Sequence, residues 1–190
     1  MNQDHPRRGL GALLVDVRAG QAKLVWNRPA LRATDDLGLT SADFGHESTI
    51  PRAHAATRIG GVNRSPSLIW SAAPPSTAEL LLVVEDVDVP LPRPLAHVAA
   101  LIDPEVTSLP AGGLSASTVG DGVQLLKVLL GRGYEGPAPI RGHGPHRYVF
   151  QLFALADPIP DHARKNLRTA LKTPMRVLAR GRLDGFVERA

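Results

Sequence analysis

The chain contains no cysteine, which excludes disulfides and thiolate-held metals and leaves the redox compartment open. Aromatic residues are scarce, with two Trp, two Tyr and four Phe among 190 residues. That argues against the stacking platforms on which single-stranded nucleic acid is bound, so no nucleic-acid partner is expected. No stretch approaches the roughly 20 apolar residues of a membrane-crossing helix. Arg7 and Arg8 ahead of Gly9–Val15 imitate a secretory leader, but Asp16 and Arg18 cut the apolar run short and no small-residue cleavage site follows. The expectation is a cytoplasmic protein whose membrane contact is at most peripheral. The chain also lacks a G-x-S-x-G elbow, a G-x-x-x-x-G-K-[ST] phosphate loop and an H-E-x-x-H helix, so no familiar hydrolase, nucleotide or zinc-protease signature is present.

Turn formers are plentiful: 17 Pro and 18 Gly. Long helical runs are few, so short strands joined by turns are expected, in one main domain at this length. The net charge of +4 is uneven. Residues 161–190 carry eight Lys and Arg against three Asp and Glu, whereas the rest of the chain is slightly acidic. Such a tail either meets an anionic surface or forms the solvated face of a helix.

The organising stretch is Leu80–Asp88. Its aliphatic run suits a buried strand, and Asp86 and Asp88 follow at period two, on one side of an extended chain as it leaves the core. Leu95–Ile102 reads as a second buried strand with His97 near its entry. His146–Ala156 reads as a central strand with two apolar faces, Tyr148, Phe150, Leu152 and Ala154 forming one of them. Lys23–Trp26, Leu37–Thr40 and Leu68–Ser71 read as short strands, Val123–Leu130 as helix or strand, and Gly181–Glu188 as an edge strand. Asp161 as N-cap and a stripe at Ala163, Leu167, Ala170 and Leu171 predict a helix over 161–172. Met175–Ala179 reads as a further helical turn. The Gly- and Pro-rich stretch 131–145 is a loop.

Asp86, Asp88, His97, His143, His146 and Tyr148 all fall at strand ends or beside that loop, where pockets form. Protonated imidazoles with a tyrosine hydroxyl and glycine amides suit a small anion, and the aspartates would hold the imidazoles charged and oriented. Plain structural readings stand beside this one: the aspartates cap a turn, and Tyr148 is core. A zinc set of Asp86, His97 and His146 has no supporting motif. Neither metal nor cofactor is expected.

In order along the chain, Leu39-Thr-Ser41, Ile50-Pro51, Asn63-x-Ser-Pro-x-Leu-x-Trp70, Asp86-Val-Asp-Val-Pro90, His97-Val98, Val106-Thr-Ser-Leu-Pro110, Gly133-Tyr-Glu-Gly-Pro137, Gly142-His-Gly-Pro-His-Arg-Tyr-Val-Phe150 and Leu183-Asp-Gly-Phe186 make a set. In that set the chain resembles the phosphatidylethanolamine-binding protein family, which includes the Raf kinase inhibitor proteins and bacterial relatives. The resemblance covers about residues 37–190, with residues 1–36 as an N-terminal extension packed on that domain. It implies a mainly β protein: an antiparallel Greek-key β-sandwich with a C-terminal helix and short peripheral helices. It also implies a pocket for phosphate or a phosphorylated headgroup, built from Asp86, His97, His146 and Tyr148 with Asp88, Gly136 and Pro139 around it. Members act as binding and inhibitory modules, so a kinase or protease target is a further partner to test, and the apolar Leu125–Leu130 adds a homodimer to that list. Departures from the family pattern are Val87 between the aspartates, Leu95 and Ala96 before His97, Gly60-Gly61, Ile140, and the apolar Leu125–Leu130. Two other functions stay open: acid–base catalysis by His97 and His146 as a hydrolase or lyase, and protein interaction through Leu125–Leu130 or the basic tail beside a decayed pocket.

Overall fold

The aliphatic run Leu80–Val84 offers water no polar face, so it must be covered on both sides. The computed structural model describes residues 9–189; Arg7 and Arg8, half of the leader-like start, lie outside the described residues. The strands among the described residues are β1 (Asp35–Asp36), β2 (Ser48–Thr49), β3 (Leu68–Ile69), β4 (Glu79–Asp86), β5 (Leu95–Ile102), β6 (Ser108–Leu109), β7 (Val123–Val128), β8 (Gly131–Arg132), β9 (His146–Leu155) and β10 (Val177–Val187). The large sheet runs β1-β10-β9-β4-β5-β7-β8, with β2 also on β10, and β3 pairs with β6 in a small second sheet. Pairing is mostly antiparallel; β1 and β2 lie parallel to β10. The order β9-β4-β5-β7 is a Greek key, since β9 returns across the sheet to lie beside β4.

Period-two alternation sends β4 and β9 side chains into two cores. Leu80, Leu82 and Val84 join Tyr148, Phe150, Leu152 and Ala154 beneath the small sheet, with Leu68, Trp70 and Leu109 from above. Leu81 and Val83 join Phe153 and Leu155 on the opposite face, under Val25, Leu31, Ala163 and Leu167. This is the sandwich expected, with an additional irregular layer on its second side. No helix among the described residues is long and apolar enough to cross a membrane.

Several local expectations change. Lys23–Trp26 is two 3-10 turns, Gln21–Lys23 and Val25–Asn27, not a strand. Its amides meet side chains instead of a ladder: Val25 N–H donates to Glu85 Oε2 (2.9 Å) and Trp26 N–H to Gln151 Oε1 (2.6 Å). Leu10–Leu13 is one turn, α1. The C-terminal helix is only α2 (Leu167–Ala170), after a 3-10 turn at Asp161–Ala163. Its cap is Asn166, whose side chain accepts from Thr169 N–H (2.9 Å), not Asp161. Asn166 also bridges to Lys127 of β7, and that pairing interrupts the longer helix. Residues 177–179 are strand, not a helical turn. β10 is covered rather than an edge: a Cβ at Gly185 would stand 2.5 Å from Ile50 Cγ1, so glycine there lets the 44–50 segment lie on the strand. Leu125 and Leu126 enter opposite cores, leaving Leu129 and Leu130 as the exposed apolar residues of that stretch.

Candidate functional site

Asp86 continues the phase of Leu82 and Val84, and His146 continues that of Phe150 and Tyr148, so all three polar side chains end the same core layer. Asp86 and Tyr148 are register partners across β4 and β9. His97 reaches this layer by a different device. Val84 pairs with Val98 but Glu85 pairs with Ala96, so His97 is the extra residue of a β-bulge. Simple alternation puts His97 with Ala99 and Leu101 in the opposite core. The bulge instead turns it toward Tyr148, ring edge to face at 5.2 Å between centroids.

His143, His146 and Asp86 form a continuous relay. His143 Nε2–H donates to the Leu14 carbonyl (2.7 Å), His143 Nδ1 meets His146 Nε2 (2.7 Å), and His146 Nδ1 meets Asp86 Oδ2 (2.8 Å). Asp86 Oδ1 accepts from Asp88 N–H (2.8 Å). Each of the three relay bonds needs one proton. Two neutral imidazoles supply two, so the third is an additional proton shared with the carboxylate. The fully bonded relay therefore carries no net charge, and neither His146 nitrogen is free for a guest.

His97 and Tyr148 are the reverse. Their buried Nε2 and hydroxyl have no hydrogen-bond partner among the described residues, and both residues line one cavity of about 230 Å³. Their exposures are 3% and 1%. His97 Nδ1–H donates to the Glu135 carbonyl (2.6 Å). Burial pushes the His97 pKa below its ordinary value, although Asp86 and the Glu135 bond oppose that shift. Burial, aided by the Asp86 charge, pushes the Tyr148 hydroxyl well above its ordinary value. The cavity thus meets a neutral imidazole lone pair and a protonated phenol, where two imidazolium rings were expected. Asp86, His146, Ala138, Ile140 and Leu91 are among its other lining residues, as is Arg58, which is largely exposed and paired with Glu135 at 2.7 Å.

The other expected residues lie around this cavity. Asp88 accepts from Arg147 N–H (2.7 Å) and pairs with Arg18 (2.9 Å), fixing the β4 exit. Gly136 N–H donates to Asn63 Oδ1 (2.6 Å), and a Cβ there would lie 2.4 Å from the His54 carbonyl. Pro139 faces a separate groove on the other side of the 138–140 wall. Arg58 was not foreseen. It sits in the 3-10 turn Thr57–Ile59, outside the strands and motifs singled out in the sequence. Among the described residues, no group of three or more His, Asp or Glu side chains is placed to hold a metal ion.

The family model described as Phosphatidylethanolamine-binding protein matches residues 40–185. Phomoidride biosynthesis cluster protein B from a fungal species is 32% identical over 158 residues, covering 78% of this chain and 75% of that protein. UPF0098 protein PH1269 of Pyrococcus horikoshii is 32% identical over 155 residues, with the same coverage of 78% and 75%. Among solved structures, E. coli YbcL, described as a new member of the mammalian phosphatidylethanolamine-binding family, has a TM-score of 0.73 at 25% identity. That likeness covers 82% of this chain and 99% of YbcL.

Proposed function

This chain belongs to the phosphatidylethanolamine-binding protein family, and on that premise we propose that it is a binding module for phosphate or a phosphorylated headgroup. One observation carries this reading: His97 Nε2 and the Tyr148 hydroxyl are buried, unpartnered and lining the same cavity. Such atoms cost on the order of 1–3 kcal/mol each when left unpaired. A small oxyanion bonded to both offsets that cost, and Arg58, another lining residue, favours negative charge there. A kinase or protease approached through the same mouth, a second copy of the chain as partner, and a cytoplasmic setting belong to this proposal.

Titration calorimetry with inorganic phosphate and phosphoethanolamine tests it. Binding is expected in the wild type and strongly reduced in His146→Ala, because the relay then no longer holds Asp86 and the β9 entry in place. No heat from either anion, or equal binding by both proteins, rejects the site.

Acid–base catalysis by His97 and His146 has weaker support. Both His146 nitrogens are bonded within the relay, so the second group of such a pair has no free position toward a substrate. Turnover in an ester and phosphoester screen that His97→Ala abolishes would reverse this ranking.

A further inference from the structure

We propose that His97 makes the cavity select oxyanions that carry a proton, such as a monoanionic phosphate monoester, over oxyanions of the same shape that carry none, such as sulfate. This rests on the anion-binding reading above and adds to it which protonation state of the ligand is taken.

The argument begins with a fixed tautomer. The Glu135 carbonyl only accepts, so His97 Nδ1 must donate to it, and that bond is short at 2.6 Å. In the neutral ring Nε2 then offers a lone pair. That atom is the one left unpartnered beside the cavity. An oxygen of a fully ionised anion also offers a lone pair, and the two repel. The groups around the ring do not supply the missing proton freely. Asp86 and Glu135 favour a charged imidazole, whereas burial and Arg58 oppose it. His146 has both nitrogens engaged. The Tyr148 hydroxyl has one proton, which it donates to a second oxygen of the guest.

A monoester monoanion resolves this. Its P–O–H group points at Nε2 while an ionised oxygen accepts from Tyr148. Whether the proton stays on oxygen or crosses to nitrogen, the count is the same: one proton lies between ligand and ring, and Nδ1–H keeps its bond to Glu135. Sulfate forms the same pair of bonds only when His97 takes a proton from solvent.

The experiment is titration calorimetry of the full chain with methyl phosphate and with sulfate, each in buffers of different ionisation enthalpy, at about pH 5.5 and about pH 8. A phosphate monoester loses its second proton near about pH 6. At the lower pH, methyl phosphate is expected to bind with little proton uptake and sulfate with clearly more, up to one proton, sulfate being at least tenfold weaker. At the higher pH both take up one proton. His97→Gln, whose amide donates without titrating, is expected to abolish uptake for both anions and remove the preference. Tyr148→Phe is expected to weaken both anions alike and leave uptake unchanged, which covers the case in which His97→Gln does not fold. Sulfate binding without uptake at about pH 5.5, methyl phosphate binding without uptake at about pH 8, or uptake persisting in His97→Gln overturns this inference alone. Absence of binding by both anions at both pH values overturns it together with the anion-binding reading.

Discussion

Strand β4 carries a buried carboxylate at each end, beside a cavity at each end, and the two ends differ in what is left unpaired. At its start, Glu79 borders a cleft of about 330 Å³. Glu79 accepts from Arg164 (2.5 Å) and from Ile159 N–H (3.0 Å), and Arg164 also donates to Gln124 Oε1 and the Ile159 carbonyl, both at 2.9 Å. At its finish, Asp86 borders the smaller cavity and is equally well bonded, but its neighbours His97 and Tyr148 are not. Among the described residues the third buried side-chain polar atom without a partner is Thr77 Oγ1, and Thr77 lines neither cavity. Volume alone favours the Glu79 end. What separates them is that one end spends its polar groups on the fold while the other holds two in reserve. Deleting a polar group should therefore cost stability at the Glu79 end and binding at the Asp86 end.

The largest effect that tests this contrast is Arg164→Met. It strands Glu79, 6% exposed, with a single remaining bond and removes two further hydrogen bonds. Breaking a buried pair of this kind costs about 3 kcal/mol, here reduced somewhat because Arg164 is partly exposed. Urea denaturation is expected to show a loss of about 2–3 kcal/mol with phosphate binding unchanged once the protein is folded. A loss below about 0.5 kcal/mol, or a parallel loss of phosphate binding, breaks the contrast.

The same contrast explains what could be read from residue order. Continuous aliphatic runs locate β4, β5 and the two-faced β9 to within a residue or two, because a buried strand leaves no alternative place for such residues. Asp86, His146 and Tyr148 follow from those runs by parity. Asp88 shares that parity and still misses the cavity, since β4 ends at Asp86 and parity stops with it. His97 reaches the cavity against parity, through a one-residue bulge that no local pattern announces. Arg58 and the Leu14 carbonyl come from irregular segments whose paths are set by distant contacts. The 161–172 stripe is real as a buried surface, but two short turns present it as well as one helix does, and the Lys127–Asn166 bridge decides between them.

A second effect, of up to about 1 kcal/mol, comes from pH. His97 titrates lower in the folded protein than its ordinary 6.5, chiefly because it is buried. Between that lowered value and about 6.5 the unfolded chain binds more protons than the folded one, so this contribution to stability rises with pH and is lost as pH falls. Glu85 acts in the opposite direction: burial raises its carboxyl above 4.5, and stability falls as pH climbs from there toward the raised value. The difference between wild type and His97→Gln isolates the histidine. From about pH 5.5 to 6.5 the wild type is expected to gain more stability than the variant, by up to about 1 kcal/mol, in urea denaturation without added anion. Parallel curves would mean that His97 is not held neutral.

The smallest stability effect has the unusual sign. The Tyr148 hydroxyl is buried and has no hydrogen-bond partner among the described residues, so Tyr148→Phe removes a desolvated group without breaking a bond. The ring keeps its place among Val84, Val98 and Phe150. Replacing an unpaired buried hydroxyl by hydrogen is neutral or stabilising, here by up to about 1 kcal/mol. The same change deletes the cavity's one neutral donor, so phosphate binding is expected to weaken by about tenfold, the equivalent of one hydrogen bond to a charged group. Stability and binding would then move in opposite directions from one oxygen atom, as they do at sites that store unpaired polarity for a guest. A Tyr148→Phe protein that is less stable by more than about 1 kcal/mol would mean the hydroxyl already serves the fold, and the two ends of β4 would no longer differ in kind.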